Sequence, residues 1–310
     1  MTTSVILWGG FAVLITSMLI LDLGVFNRKS HEVSFREALT WTLVWVGLAL
    51  SFNLGILHFL GTTKALEFLA GYLIEESLSV DNLFVFIMIF SYFQVPRAYQ
   101  PKILKWGIIG ALVMRAIFIF IGIELFERFH WMIYLFGALL IVTGIKMAFG
   151  GEEKINPEKN LLVRLARKLI PITKKLYGDR FFVRRKGMLA ATPLFLTLLV
   201  VESSDVIFAI DSIPAILAVT RDPFIVYTSN IFAIMGLRSL FYLLSSVMEM
   251  FTHLKLGVSI ILAYIGVKML LSSVYPIPIY FSLGVIAGVL TITIITSVVF
   301  DTKGKTPAKR

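Results

Sequence analysis

The sequence predicts an all-α polytopic membrane protein of about nine transmembrane helices, six of which form two inverted three-helix repeats. Three observations predict this. First, 58% of the 310 residues are hydrophobic and the mean hydropathy is +0.88, well above the roughly 45–50% apolar content of globular domains. Second, the apolar runs are continuous: IILAYIGVKMLL (260–271) does not alternate as a β-barrel strand would. Third, an acidic motif recurs in two apolar settings, LSVDNLFVF (78–86) and FAIDSIPAI (208–216).

Taken in order, an N-terminal segment 1–65 carries spans near 4–26 and 37–60. The basic flank of the first span (Arg28, Lys29, Arg36) follows it, the reverse of a secretory signal, so an uncleaved helix is expected. Residues 66–150 hold spans near 66–93, 103–126 and 130–150. Residues 188–273 hold spans near 188–219, 223–248 and 253–273. A last span near 277–300 and a basic tail complete 274–310. The spans at 66–93 and 188–219 exceed the roughly 20 residues that a bilayer requires, which leaves room for a break. Pro214 is expected to supply one beside Asp211, freeing the carbonyl of Ile210.

The loop 151–187 carries eleven basic residues and four acids. Leu162, Leu165, Leu169, Ile172 and Leu176 recur at three- and four-residue steps among Arg164, Arg167, Lys168 and Lys175. An amphipathic helix on anionic lipid is expected, with Pro171 bending it or ending its first half. The leucine stripe and the flanking spans argue against nucleic acid. With Arg97, Lys102, Lys105, Lys303 and Lys305 on the same side, the positive-inside rule places the N-terminus outside and the C-terminus inside. The setting expected is a bacterial inner membrane. Trp8, Trp41, Trp106 and Trp131 fit an interfacial belt.

The repeat extends beyond the acidic motif. At an offset of 130, Asp81 aligns with Asp211 and Glu75 with Asp205. ALVMR (111–115) then matches IMGLR (234–238), pairing Arg115 with Arg238, and TGIKM (143–147) matches IGVKM (265–269). Three spans per copy is an odd number, so the second copy enters from the opposite side. Secondary transporters are built this way, with sites at the repeat interface on discontinuous helices.

Six acids sit inside the two motif-bearing spans: Glu75, Glu76, Asp81, Glu202, Asp205 and Asp211. Each costs about 2.5–3.5 kcal/mol at a helix centre on insertion scales. Arg115 and Arg238 are the deep cations available as charge partners; Lys146 and Lys268 fall near helix ends. Negative charge is left over, enough for a divalent ion. Asn82 and Ser212 add neutral oxygens at equivalent places. Asn53, Thr228, Ser229 and Asn230 are weaker candidates, which more often bond between helices. The donor set is all oxygen and suits Mn²⁺, Ca²⁺ or Mg²⁺ as cargo, without choosing among them. Cysteine is absent, so thiol chemistry is excluded. No nucleophile–base pair, P-loop or zinc motif appears, and neither an enzyme nor an organic cofactor is expected.

LWGGF (7–11), GYLIEESLSVDNLFVF (71–86), FFVRRKG (181–187), ATPLFL (191–196), VESSDVIFAIDSIPAI (201–216), DPFIVYTSNIFAIMGLRSLFYLL (222–244) and IGVKML (265–270) together give the chain a marked likeness to one family. The sequence resembles the TerC family of integral membrane proteins, named for tellurium resistance, and within it the Alx-like branch. The resemblance implies manganese homeostasis by Mn²⁺ efflux. It maps the metal ligands to Glu76, Asp81, Asn82, Glu202, Asp205 and Asp211, with Glu75 as the alternative to Glu76. Protons are the natural coupling ion. The rival expectation is a membrane metal sensor or organiser in tellurite or metal stress that does not transport and recruits membrane protein partners through 151–187.

Overall fold

The computed structural model describes residues 2–20, 33–129, 131–149, 160–173, 175–185, 188–247, 254–272, 274–275 and 277–303; the side chains of 2–6, 81, 185, 246–247, 254–255 and 298–303 lie outside the description. Among the described residues ten α-helices follow one another: α1 (Thr2–Leu19), α2 (Phe35–Leu60), α3 (Thr62–Tyr92), α4 (Gln100–Arg128), α5 (Met132–Phe149), α6 (Leu161–Leu169), α7 (Pro193–Leu217), α8 (Pro223–Val247), α9 (Leu254–Leu271) and α10 (Ile279–Lys303). Six stretches among the described residues are long and apolar enough to cross a bilayer, on α2, α4, α5, α7, α8 and α10. Shorter apolar stretches lie on α1 and α9, and α3 is apolar but interrupted by its acids.

Local chemistry sets the helix ends. Ser34 accepts a hydrogen bond from the Glu37 N–H at 3.3 Å and so caps α2. Gly61 separates α2 from α3 at φ 87°, a backbone angle that favours glycine. Asp222 Oδ1 accepts from the Phe224 N–H at 3.0 Å to open α8 behind Pro223. Pro193 opens α7 at a position where its missing N–H costs nothing.

Helix α8 is almost wholly buried, whereas α2, α5 and α10 keep most of their apolar surface outward. Leu43, Leu50 and Leu54 on α2, Val142 and Ile145 on α5, and Ile292 and Ile295 on α10 form part of this outward apolar surface. In water it would be an aggregation liability; against acyl chains it is the solvated face. Trp8 does not sit alone at an interface. It packs against Phe120, Phe224 and Tyr227. Trp106 and Trp131 are exposed.

The inverted repeat is visible in the packing. A Cβ on Gly144 would meet the Ser259 carbonyl oxygen at 2.7 Å, and one on Gly266 would meet that of Gly137 at 2.6 Å. Residues later along α5 therefore face residues earlier along α9, so the two helices run antiparallel. At the repeat offset of 122, Gly144 is the counterpart of Gly266 and Gly137 that of Ser259. The two close approaches are thus the same contact seen from either copy. Helices α3 and α7 are likewise antiparallel: Gly71 abuts Ile216, while Glu75, one turn on, shares a partner with Ser212, one turn back.

Two expectations are corrected. Helix α7 runs unbroken from Pro193 to Leu217 through Pro214. Pro214 lies within the last turn, which closes with the Ala218 N–H donating to the Pro214 carbonyl at 3.0 Å, so the lost bond falls where the helix is ending anyway. The span expected at 188–219 starts later, because residues 188–191 form a strand. Among the described residues of the basic loop, helix is confined to Leu161–Leu169. Beyond Ile170 the chain is extended: Ile172 bridges to Ala191, and β1 (Phe182–Arg185) pairs antiparallel with β2 (Met188–Ala191). Pro171 ends the helix, and Ile172 and Leu176 leave its stripe. On α6, Val163 and Ala166 turn inward while Leu161, Leu165 and Leu169 stay exposed. Arg28, Lys29 and Lys305, with Lys154, Lys159, Lys174 and Lys186 of the basic loop and Asp22 near the end of the first expected span, lie outside the described residues.

Candidate functional site

The candidate site lies where α3, α4 and α7 meet. Arg115, from the middle of α4, is fully buried. Its Nη1 donates to Glu75 Oε1 on α3 and to Ser212 Oγ on α7 at 3.0 Å, and its Nη2 lies 3.5 Å from Asp205 Oδ1 on α7. One guanidinium therefore spans the acids that the sequence repeat aligns with each other. Glu75 is 0% exposed and Asp205 6%.

The pairing leaves oxygens over. Glu75 Oε2, Glu76 Oε2 and Asp205 Oδ2 are buried and accept no hydrogen bond among the described residues. Ser79 Oγ, one turn from Glu76, is in the same condition. A buried, uncompensated carboxylate oxygen loses its hydration and is costly unless something else supplies charge.

Glu202 and Asp205 share a face of α7, as their spacing requires. The Glu202 carboxylate lies directly against Gly110 of α4, where any Cβ would collide with it. Glu202, Asp205 and Arg238 line a small cavity with Gly107 and Ala111. Arg238 thus stands beside the acids, as its repeat position implies.

Asp211 is the exception, and the single pocket expected from the sequence is corrected there. With α7 unbroken at Pro214, nothing re-aims this side chain, and it stays on a different face from Asp205. Its Oδ1 accepts from Thr143 Oγ1 of α5 at 3.1 Å, with Lys146 in electrostatic reach. Asn82 is buried. The Asp81 side chain lies outside the described residues. Among the described residues no three His, Asp or Glu side chains stand together as a ready metal cage.

Two further features escaped the sequence reading. Gly110, in GIIGA, supports the Glu202 carboxylate; its close spacing to Gly107 on one helix was the available signal. Asn160 caps α6 through Oδ1 and donates from Nδ2 to Ser203 Oγ at 2.6 Å, tying the surface helix to α7 next to Glu202. Asn230 is fully buried with both side-chain polar atoms unpartnered among the described residues.

At the end of the bundle where α3 begins and α7 ends, a cavity of about 780 Å³ opens. Lys64, Glu67, Thr220, Arg221, Asp222 and Lys268 line it. Lys64 Nζ bridges Glu67 at 2.9 Å and Asp222 at 3.0 Å. Ile216, against Gly71, closes the α3–α7 crossing just inside this end.

Long apolar helices, an antiparallel repeat and an ionic centre at its crossing define a multi-pass integral membrane protein with a charged core. The chain belongs to the Integral membrane protein TerC family, matching it over residues 60–305. It is 51% identical over 293 residues to the "Uncharacterized membrane protein STKORF319" of Myxococcus xanthus, covering 94% of this chain and 92% of that one. It is 50% identical over 299 residues to the "Putative membrane-bound redox modulator Alx" of Escherichia coli K12, covering 94% and 93%. A Rickettsia bellii membrane protein is 39% identical over 292 residues, covering 94% and 97%. No solved structure matches.

Proposed function

We propose that the protein is a divalent metal-ion transporter, with Mn²⁺ efflux across a bacterial inner membrane as the reading the site supports best. The observation that carries it is the excess of buried anionic oxygen at the α3–α7 crossing: Glu75 Oε2 and Asp205 Oδ2 stand unpartnered although both acids share one guanidinium, and Glu76 Oε2, on the adjoining residue of α3, is buried without a partner among the described residues. Hard oxygen donors of this kind suit Mn²⁺, with Ca²⁺ and Mg²⁺ as competitors. The family resemblance favours Mn²⁺ and the outward direction. The crossing lies between inverted repeats, so rocking one repeat against the other would open it to either side. The cavity beside Lys64 and Asp222 then serves as the vestibule on one side, taken as the outer one by the distribution of Lys and Arg. Protons, which carboxylates bind in competition with metal, are the coupling ion proposed. Chemistry on an organic cofactor is not part of this reading. A cysteine-free chain has no thiol of its own, so any redox role of the kind named for the Alx relative would act here through the cargo.

A second reading has one observation in its favour. The Asn160–Ser203 bond joins the basic surface segment to the acidic helix. A metal sensor could signal through that link to lipid or to membrane protein partners without net flux.

The test is uptake by proteoliposomes of Mn²⁺, Ca²⁺ and Mg²⁺ under imposed pH gradients. Wild-type protein should move Mn²⁺, and Glu75→Gln and Asp205→Asn should abolish the flux. Wild-type flux from both variants rejects the site. Metal binding without flux in the wild type supports the sensor.

A further inference from the structure

We propose that Arg115 is a tethered counter-ion that occupies the carboxylate site in place of metal and is displaced when metal binds. The inference rests on the transporter reading above and adds what neutralises the site between cargoes.

The geometry separates Arg115 from an ordinary structural ion pair. The guanidinium does not serve one carboxylate bidentately, the arrangement that best matches its fork to a carboxylate. It is divided, with Nη1 on Glu75 and Ser212 and Nη2 at 3.5 Å from Asp205. It therefore links α3, α4 and α7 at the point where the two repeats cross. One positive charge faces two carboxylates, and each of these keeps an unpartnered oxygen. A divalent ion carries twice the charge and can take oxygens from both. Metal and guanidinium would then share the same two anions within a few ångströms, where two cations repel each other strongly in a low dielectric. The stronger cation displaces the weaker. Ser212 Oγ, which already accepts from Nη1, is the neutral acceptor that keeps the displaced side chain partly satisfied inside the protein.

Lysine would fit this task less well. An ammonium is a compact point charge without the planar fork that reaches two acids and a hydroxyl together. The counterpart residue in the other repeat is also an arginine, Arg238, and it lines a cavity with the same Asp205. With one guanidinium against Glu75 and Asp205, the metal-free site needs a proton on only one of the two acids to be neutral, which agrees with the proton coupling proposed above.

The test is Mn²⁺ binding to the full-length protein in detergent, read from the loss of the free-ion paramagnetic resonance signal. Arg115→Gln, which removes the competitor, should bind Mn²⁺ at least tenfold more tightly than wild type. Its thermal stability should rise more on adding Mn²⁺, because metal then supplies the missing charge. Mn²⁺ release in proteoliposomes should slow. Arg115→Lys should tighten binding by a smaller factor; if the glutamine variant does not fold, the lysine variant decides alone. Affinity equal to or weaker than wild type in every folded variant overturns the proposal. Glu75→Gln and Asp205→Asn are the control: if both bind Mn²⁺ as wild type does, the metal site itself is wrong, whatever Arg115 does.

Discussion

Two of the crossings that connect the repeats are built in opposite ways. Helices α5 and α9 meet through glycine, where backbone oxygen approaches the place a side chain would fill. Helices α3 and α7 meet through charge, with Arg115 between Glu75 and Asp205. In lipid, helices gain little from burying apolar side chains, and close backbone approach is the cheaper adhesive. A buried ion pair is a poor source of stability compared with apolar packing. The protein nevertheless spends one of its symmetric contacts on charge. Under the transport proposal, the contrast would give cohesion to α5–α9 and the movable, ligand-responsive contact to α3–α7.

The largest effect should come from breaking the charged crossing on one side only. Arg115→Met leaves Glu75 and Asp205 buried without their cation and should cost about 3–5 kcal/mol. Adding Glu75→Gln should recover a good part of that loss, as a double-mutant cycle of thermal unfolding in detergent would show. Gly266→Ala attacks the other crossing, placing a methyl against the Gly137 carbonyl. A loss of about 1–3 kcal/mol is expected, with Mn²⁺ affinity per folded molecule unchanged. A change in metal selectivity from this variant would break the division of labour. Thr143→Val removes one hydrogen bond to Asp211 and should lower stability by about 0.5–1.5 kcal/mol, leaving Mn²⁺ binding at the charged crossing intact. Loss of binding there would return Asp211 to the site. Lys102→Ala cuts a partly exposed pair to Asp179 at 3.0 Å. Its cost should be only about 0–1 kcal/mol, a baseline against which the buried pair stands out.

The sequence reading and the structure agree where periodicity and composition carry the information. The apolar runs marked the long helices, and the aligned GxKM strings marked α5 and α9 as repeat counterparts, which the structure packs against each other. The match of Glu75 with Asp205 and of Arg115 with Arg238 named the members of the ionic centre. The hairpin of β1 and β2 went unseen because FVRRKGMLAA reads as the start of an apolar span. The amphipathic stripe over 162–176 was real only as far as Leu169, since Pro171 turned the chain into extended structure.

The amino-acid order alone determined that this chain enters lipid, that its two halves repeat, and which carboxylates must be accounted for there. Those are properties of composition and spacing. Which acids face one another was settled by tertiary structure. Each residue turns about 100° around a helix, so six positions leave Asp211 about 120° round the helix from Asp205, on a different face. Only the path of α7 through Pro214 and its packing on α4 and α5 fixed the outcome. Asp205 came to rest on Arg115, and Asp211 on Thr143.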